Sequence, residues 1–309
     1  MLEHGGPEVL RLQELERPVP AAGEVLLETR AAGLNPVDTQ VRSGSWLPDE
    51  IGRPPMVLGW DVAGLVTEIG AGVRSLEPGD RAFGMPAFPE LARCDAEYVV
   101  ASERHVLPVP AGLTDEQAGG LPLAGLTAWQ ALVDEGRMRA GDRVLVMAAA
   151  GGVGHLAVQI AKARGAHVIG TARREKHDFL GGLGADEAIE YTDGPIDRSV
   201  SDLDVVLDLV SEDDDGLITS LATLRPGGRL VVIAGTLTER VSAVAGQQGK
   251  LATEMLVVPD RAALQSLASL ADAGRLSVHV DAAFPLEQAA DAHRRQESGR
   301  VMGKLLLTT

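Results

Sequence analysis

Cysteine is nearly absent: Cys94 is the only one among 309 residues. That excludes an intrachain disulfide and any thiolate-rich zinc cluster, since both need several sulfurs. Cys94 has only Arg93 as a cationic neighbour in sequence, so it is expected to be a small buried residue and not an activated thiol. Aromatics are scarce as well, with four Phe, three Trp and two Tyr, which leaves few phenols as proton donors. Cations are outnumbered: 28 Lys and Arg against 44 Asp and Glu give a net charge of −16. Such a surface repels nucleic acid and anionic membrane, and neither is expected as a partner. No apolar run is long enough to span a bilayer, and Met1 to Leu10 carries no basic-then-apolar export signal. A cytoplasmic location is expected.

What is present falls into two textures. Up to about residue 110, turn punctuation is dense, with Gly5-Gly6-Pro7, Pro18, Pro20, Gly33, Pro36, Pro54-Pro55 and Pro78-Gly79-Asp80. Short β-branched runs lie between these turns, at Glu24–Thr29, Val62–Ile69 and Ala96–Val100, which predicts irregular β structure. From about residue 115, strands alternate with helices. Arg143–Ala148, Ala166–Gly170, Glu187–Tyr191, Asp204–Leu209 and Arg229–Ala234 read as strands. Val153–Arg164, Glu175–Leu183 and Asp213–Leu224 read as helices between them. That alternation predicts βαβ units on a parallel sheet, a doubly wound α/β fold. Helix Arg261–Ala273, a short strand Ser277–Val280, helix Leu286–Glu297 and a closing strand Met302–Leu307 follow.

The first strand of the α/β region runs into Ala148-Ala149-Ala150-Gly151-Gly152-Val153-Gly154 and at once into a helix. A dinucleotide fingerprint spaces three glycines as GxGxxG; here Ala149 holds the first place, and Gly151 and Gly154 hold the others. Gly151 lets the backbone approach a pyrophosphate, and Gly154 lets the helix pack closely on the strand. The helix N-terminus offers free N–H groups and partial positive charge. Bare glycine turns are common, but one set between a strand and a helix inside a βαβ unit predicts nucleotide binding. Ala150, Gly151, Gly152, Val153 and Gly154 form the expected phosphate cradle.

The next strand end distinguishes the nucleotide. A site for NAD wants a carboxylate about twenty residues after the glycines, to bind the ribose 2′-hydroxyl. That place falls near Thr171, and the chain continues Ala172-Arg173-Arg174-Glu175-Lys176. With no acid at the strand end and three cations after it, the pattern suits a 2′-phosphate, so NADPH is the expected cofactor. The plainer alternative is a solvated basic helix start, although cations there oppose the helix dipole.

At this point a resemblance is clear. The chain resembles the zinc-free members of the medium-chain dehydrogenase/reductase superfamily, close to the NADPH:quinone oxidoreductases. The likeness runs over nearly the whole length. Its first segments are Glu3-His4-Gly5-Gly6-Pro7-Glu8-Val9-Leu10, Gly33-Leu34-Asn35-Pro36-Val37-Asp38, Arg42-Ser43-Gly44 and Leu58-Gly59-Trp60-Asp61-Val62-Ala63-Gly64. Further on come Leu121-Pro122-Leu123-Ala124-Gly125-Leu126-Thr127-Ala128, the glycine loop, Leu183-Gly184-Ala185-Asp186 and Gly303-Lys304-Leu305-Leu306-Leu307. The resemblance implies a Rossmann NADPH-binding domain over residues 116–279. It implies that this domain is inserted in a β-rich GroES-like catalytic domain over 1–115 and 280–309. It implies an NADPH-dependent oxidoreductase, with a homodimer formed by edge pairing near Arg229–Gly235. By resemblance, Tyr191 packs near the adenosine ribose phosphate beside Lys176. Ala234 and Gly235 line the nicotinamide side, Thr127 begins a helix in the cofactor crevice, and Lys304 lies on a tail closing against the cofactor.

Zinc-dependent relatives use a Cys and a His in the first domain plus four clustered cysteines. This chain has Asn35 and Asp38 in the catalytic-ligand region and one cysteine in all, so no metal is expected. Hydride transfer to a quinone or an activated alkene builds negative charge on an oxygen, which asks for hydrogen-bond donors. Asn35 and Thr127 are the donor candidates, with Asp38 holding the loop; equally, Asn35-Pro36 is a common turn starter and Asp38 suits a cap. The family's quinone reductases often place tyrosines after this loop, where this chain has Gln40 and Trp46. Trp46, with Met85 and Phe88, is the expected wall of a substrate pocket, offering stacking to a flat ring. Asp61 is expected to be structural. The leading expectation is reduction of a quinone or other activated C=C or C=O acceptor. An enone or enal reductase with little quinone activity is one alternative, and a non-catalytic NADPH-binding protein is another.

Overall fold

The computed structural model describes residues 1–309. The chain divides into two compact units, Met1–Leu126 with Val258–Thr309, and Thr127–Val257. The joints expected from sequence lie at 115/116 and 279/280. In the structure, helices Asp115–Gly120 and Arg261–Asp272 belong to the first unit. No helix is long and apolar enough to cross a membrane.

Strands are numbered along the chain. The first unit holds β1 (Glu24–Leu34), β2 (Val62–Ile69), β3 (Arg81–Gly84), β4 (Tyr98–Ser102) and β5 (Val106–Pro108), and later β12 (Val280–Pro285) and β13 (Lys304–Thr308). They form one seven-stranded sheet in the order β12-β13-β1-β2-β3-β5, with β4 also on β1. β1 is the organising strand. Its long run is apolar on both faces, and most of it is buried, as a strand covered on two sides must be. Val25–Ala31 pairs with β2, while Ala32, Gly33 and Leu34 pair with Leu307, Leu306 and Leu305 of β13. The carboxyl-terminal strand is thereby laid beside the segment that leads into Asn35. The last helix, Ala289–Glu297, is anchored by buried Arg42, which pairs with Glu297 and donates from Nε to Gly5 O at 3.1 Å.

The second unit holds β6 (Arg143–Val146), β7 (His167–Ala172), β8 (Glu187–Glu190), β9 (Leu203–Asp208), β10 (Leu224–Val232) and β11 (Leu251–Glu254). All pair in parallel in the order β11-β10-β9-β6-β7-β8. Chain order reverses between β6 and β9, so the topological switch point, where α/β sheets bind ligands at the carboxyl ends of their strands, lies there. Leu145, Ile169, Val206, Leu217, Leu221 and Leu230 form its core.

Several sequence expectations need correction. Strand Ser277–Val280 is displaced: β12 starts at Val280, and the preceding Leu276 and Val278 are buried without ladder pairing. Their alternation mimics a strand because one side packs on the core. The segment near Arg229–Gly235 cannot be a dimer edge, because β10 is paired with β9 on one side and β11 on the other. The free edge on that side is β11, whose Leu-Ala-Thr-Glu sequence carries too little β signal to be read. Thr127 does not begin a helix; it lies in the last turns of helix Pro122–Trp129, which runs on into a π-helical Gln130–Glu135.

The glycine loop is built by steric exclusion. A Cβ on Gly154 would stand 2.3 Å from Ala148 O and 2.7 Å from Ala149 Cα, so helix Gly154–Ala163 reaches its strand only through glycine. The first fingerprint position, Ala149, is fully buried, and its methyl occupies space that a Cβ on Gly170 of β7 would invade at 2.8 Å. The missing loop glycine is compensated on the neighbouring strand. Gly154→Ala is expected to lower stability by about 1–3 kcal/mol, the usual range for overpacking, seen as a lower urea midpoint with an unchanged slope.

Candidate functional site

In the second unit, the glycine loop expected to cradle phosphate lies at the carboxyl end of β6. Ala148 takes a left-handed φ of 45°, and the loop hangs from β7 by two bonds. Ala148 N donates to Thr171 Oγ1 at 3.0 Å, and Ala149 N donates to Thr171 O at 2.9 Å. Thr171 is 3% exposed, so its hydroxyl is a strut for the loop and not a ribose contact. Gly151, Gly152 and Val153 are half-buried, with their backbone at the surface. Helix Gly154–Ala163 has no capping side chain and no acid in its first turn; His155 N and Leu156 N already donate to Gly151 O and Val153 O, so what the helix start offers an external anion is its dipole.

Beyond β7 the three cations have different surroundings. Arg173 is exposed and donates from Nε to Tyr191 Oη at 2.9 Å, which presents the guanidinium edge outward. Tyr191 is itself 48% exposed. Tyr191 therefore stands with Arg173, where the resemblance paired it with Lys176. Arg174 is paired with Asp193 at 3.0 Å, and its amide donates to Glu190. Exposed pairs of this kind contribute little, about 0–1 kcal/mol, yet this one turns Arg174 toward β8. Ala234 is exposed after β10, with Gly235 beside it.

The first unit holds a buried polar network. Asn35 caps helix Pro36–Ser43, its amide N donating to Asp38 Oδ2 at 2.7 Å. Asp38 Oδ1 accepts from Gly59 N at 3.1 Å. The Asn35 side chain donates from Nδ2 to Gly33 O at 3.1 Å and to Asp61 Oδ2 at 2.9 Å, and its Oδ1 accepts from Lys304. Those neighbours force the amide orientation, since lysine only donates and the carboxylate only accepts. Both Nδ2 hydrogens are committed, and Asn35 is 2% exposed. It has no donor left for a substrate oxygen. Lys304 spends its three donors inside this unit, on Leu34 O at 3.0 Å, Asn35 Oδ1 and Asp61 Oδ2 at 3.4 Å. Asp61 also accepts from Leu123 N at 2.6 Å.

Burial raises the carboxyl pKa of Asp61 and lowers that of the Lys304 ammonium, while their attraction opposes both shifts. Burial also raises Asp38 well above the usual range, with the charge of Asp95 adding to it. Asp95 is pushed up to about 7 by burial and by Asp61. Lys304 and the Met1 ammonium, which acts on Asp95, are two cations against three carboxyls, so the group favours holding a proton. Sequence reading found Asn35, Asp38 and Lys304 but not that Asp61 joins them. The signal was an acid inside the apolar stretch Met56–Ala63, which needs a buried cation, and Lys304 among leucines is its match.

Trp46, half-buried, stacks on Phe88 with centroids 5.9 Å apart and planes 12° apart. Phe88 meets Trp60 edge-on at 5.8 Å. Phe88 is 6% exposed and Met85 0%. Trp46 therefore presents the surface, Phe88 fixes it, and Met85 lies behind as core. Thr127 is 3% exposed. No group of three or more His, Cys, Asp or Glu side chains is placed to hold a metal ion.

Comparison with known proteins places this geometry. Residues 21–111 match the alcohol dehydrogenase GroES-like domain, and residues 183–307 match a model described as zinc-binding dehydrogenase. The chain is 33% identical to mouse quinone oxidoreductase, over 99% of this chain and 96% of that one. The chain belongs to the quinone oxidoreductase-like medium-chain dehydrogenases. Among solved structures, the quinone oxidoreductase of Coxiella burnetii aligns with TM-score 0.92 and 36% identity, covering 99% of this chain and 97% of that one. The Escherichia coli quinone oxidoreductase complexed with NADPH aligns at 0.88 and 30%, covering 100% and 98%. The family is one of oxidoreductases, and both sheets described above are its fold.

The raised carboxyls set a pH dependence. An acid with a folded pKa of about 7 against an ordinary 3.8 binds its proton more tightly when folded, so stability falls as pH rises between those values. Asp95→Asn removes that cost. Its stability relative to wild type is expected to rise from pH 4 to pH 7 and level off above, in thermal melts taken across that range.

Proposed function

We propose that the protein is an NADPH-dependent reductase that delivers hydride to a quinone, or to another activated C=C or C=O acceptor, without a metal ion. The observation that carries this is the end of β7, where no carboxylate closes the strand and the exposed Arg173 donates to Tyr191 Oη. The cradle fits a dinucleotide. Half-buried Gly151 and Gly152 leave the backbone open, the helix after them lacks a cap, and a cation stands one strand away. Gly151, Gly152, Val153 and Gly154 would hold the pyrophosphate, Arg173 and Lys176 the 2′-phosphate, and Ala234 and Gly235 the nicotinamide side. NADPH, when bound, supplies the hydride.

The chain's own residues set the rest. Asn35, Asp38 and Lys304 act as a rigid base, because their donors are already committed; the proton for the reduced acceptor comes from water. Metal independence is supported by the single cysteine and by a buried network built from an amide, carboxyls and a lysine, a set that offers no cluster of metal ligands. Trp46 supports a flat, conjugated acceptor, since Phe88 and Trp60 fix its ring plane and leave it half-exposed. The −16 charge makes the protein an unfavourable partner for nucleic acid and for anionic membrane surfaces. Self-association is proposed through β11, an unpaired edge on which Leu251 is 47% exposed, with Leu256 just beyond the strand 55% exposed.

Oxidation of NADPH, followed by its absorbance, is expected with 1,4-naphthoquinone and not without an acceptor. Oxidation with 2-cyclohexenone alone would select the enone reductase, and none with a broad panel would select a binding protein. Arg173→Ala is expected to weaken NADPH by about tenfold to a hundredfold, the span of a hydrogen bond to a charged group, with NADH little changed. Equal loss of both in titrations would overturn the 2′-phosphate assignment.

A further inference from the structure

β9 ends on a buried acid with no counter-ion. Asp208 is 1% exposed and accepts four hydrogen bonds. Oδ1 takes Val210 N at 3.1 Å and Ser211 N at 2.9 Å; Oδ2 takes Ser211 Oγ at 2.8 Å and Ser220 Oγ at 2.6 Å. Burying such a carboxyl is costly, and hydrogen bonds of this kind offset the cost. All four bonds restrain one short turn, Leu209–Ser211, or tie it to helix Asp214–Ala222, which carries Ser220. Ser220 Oγ also lies 3.3 Å from Met147 Sδ, at the exit of β6 toward the glycine loop. A second restraint comes from β10: a Cβ on Gly235 would stand 2.4 Å from Ser211 O, so the β10 exit lies flush against the turn. At the tip of this held turn, Val210 is 47% exposed.

The position of the turn gives the brace a use. β7 and β9 flank β6 on opposite sides. A dinucleotide with its pyrophosphate on the β6 loop and its 2′-phosphate at β7 has only the β9–β10 side for its other half. That side presents the Asp208 turn and the Ala234–Gly235 exit. An exposed valine on a backbone pinned by a carboxylate is a fixed apolar wall.

We propose that Asp208 is a positioning residue: by pinning Leu209–Ser211 to the carboxyl edge of β9, it sets the wall, with Val210 as the contact, against which the nicotinamide riboside half of NADPH rests. The proposal rests on the NADPH reading above. Binding of NADPH and of 2′,5′-ADP, which lacks that half, separates the two. Wild type is expected to bind both. Asp208→Ala is expected to bind NADPH about tenfold more weakly, a change of about 1.4 kcal/mol, with 2′,5′-ADP within about twofold. Gly235→Ala, which leaves Asp208 and its four bonds in place but drives a methyl into Ser211 O, is expected to give the same split. Asp208→Asn, which keeps shape and loses charge, falls between. Should Asp208→Ala not fold, the latter two carry the test. Equal weakening of both ligands, which reports general loosening, overturns the proposal, as does unchanged NADPH affinity in the folded variants. Wild type that binds neither ligand overturns the cofactor reading and this proposal with it; wild type that binds both beside an unmoved variant overturns this proposal alone.

Discussion

Asp61 and Lys304 meet inside the first unit with side-chain exposures of 0% and 2%. Direct attraction does not offset the desolvation of such a pair unless further hydrogen bonds complete both groups. Here the completing groups are distant in sequence: the Leu34 carbonyl at the end of β1, the Asn35 amide at a helix start, and the Leu123 amide at the head of another helix. Removing either charge would strand the other at a cost of about 3–5 kcal/mol. The pair therefore locks β13 to β1 and fixes the loop that leads into Asn35. This frame is held by an internal ion pair, and its polar groups are occupied in holding each other.

The second unit works by the opposite principle. Its functional groups are left incomplete: an uncapped helix start, an arginine bound by only one phenol, and a backbone loop at the surface. A protein of net charge −16 repels anions at a distance, so any phosphorylated ligand has to be held by local donors. The Arg174–Asp193 pair shows how close the balance is, since one of three cations is already drawn toward a carboxylate.

The sequence showed the second unit more clearly than the first. β6, β9 and the helix after the glycine loop lie within a few residues of where apolar periodicity puts them, because a parallel sheet buried on both faces writes itself as unbroken apolar runs. β11 and helix Glu239–Gln247 escaped, being short and at a half-exposed edge where packing and not propensity decides. In the first unit, Asn35, Asp38 and Lys304 were legible as unusual residues, but their roles were not. Whether an amide faces a substrate or a buried lysine depends on pairing between β1 and β13, hundreds of residues apart, and local pattern carries no trace of that. Asp61 was legible as structural, but its partner Lys304 was not, for the same reason. Trp46 and Phe88 were legible as a pair; that Met85 lies wholly behind them follows only from packing.

Ala149 and Gly170 carry a wider consequence. The requirement usually attributed to the first glycine of the loop is for a void between two adjacent strands, and either strand is able to supply it. Here β7 supplies it, so a pattern that reads only the loop scores this chain as degenerate, whereas one that reads both strands scores it as intact. The nucleotide fingerprint is thus a property of volume shared across a ladder. Drift at the two positions is coupled: alanine is tolerated at Ala149 only while glycine is kept at Gly170.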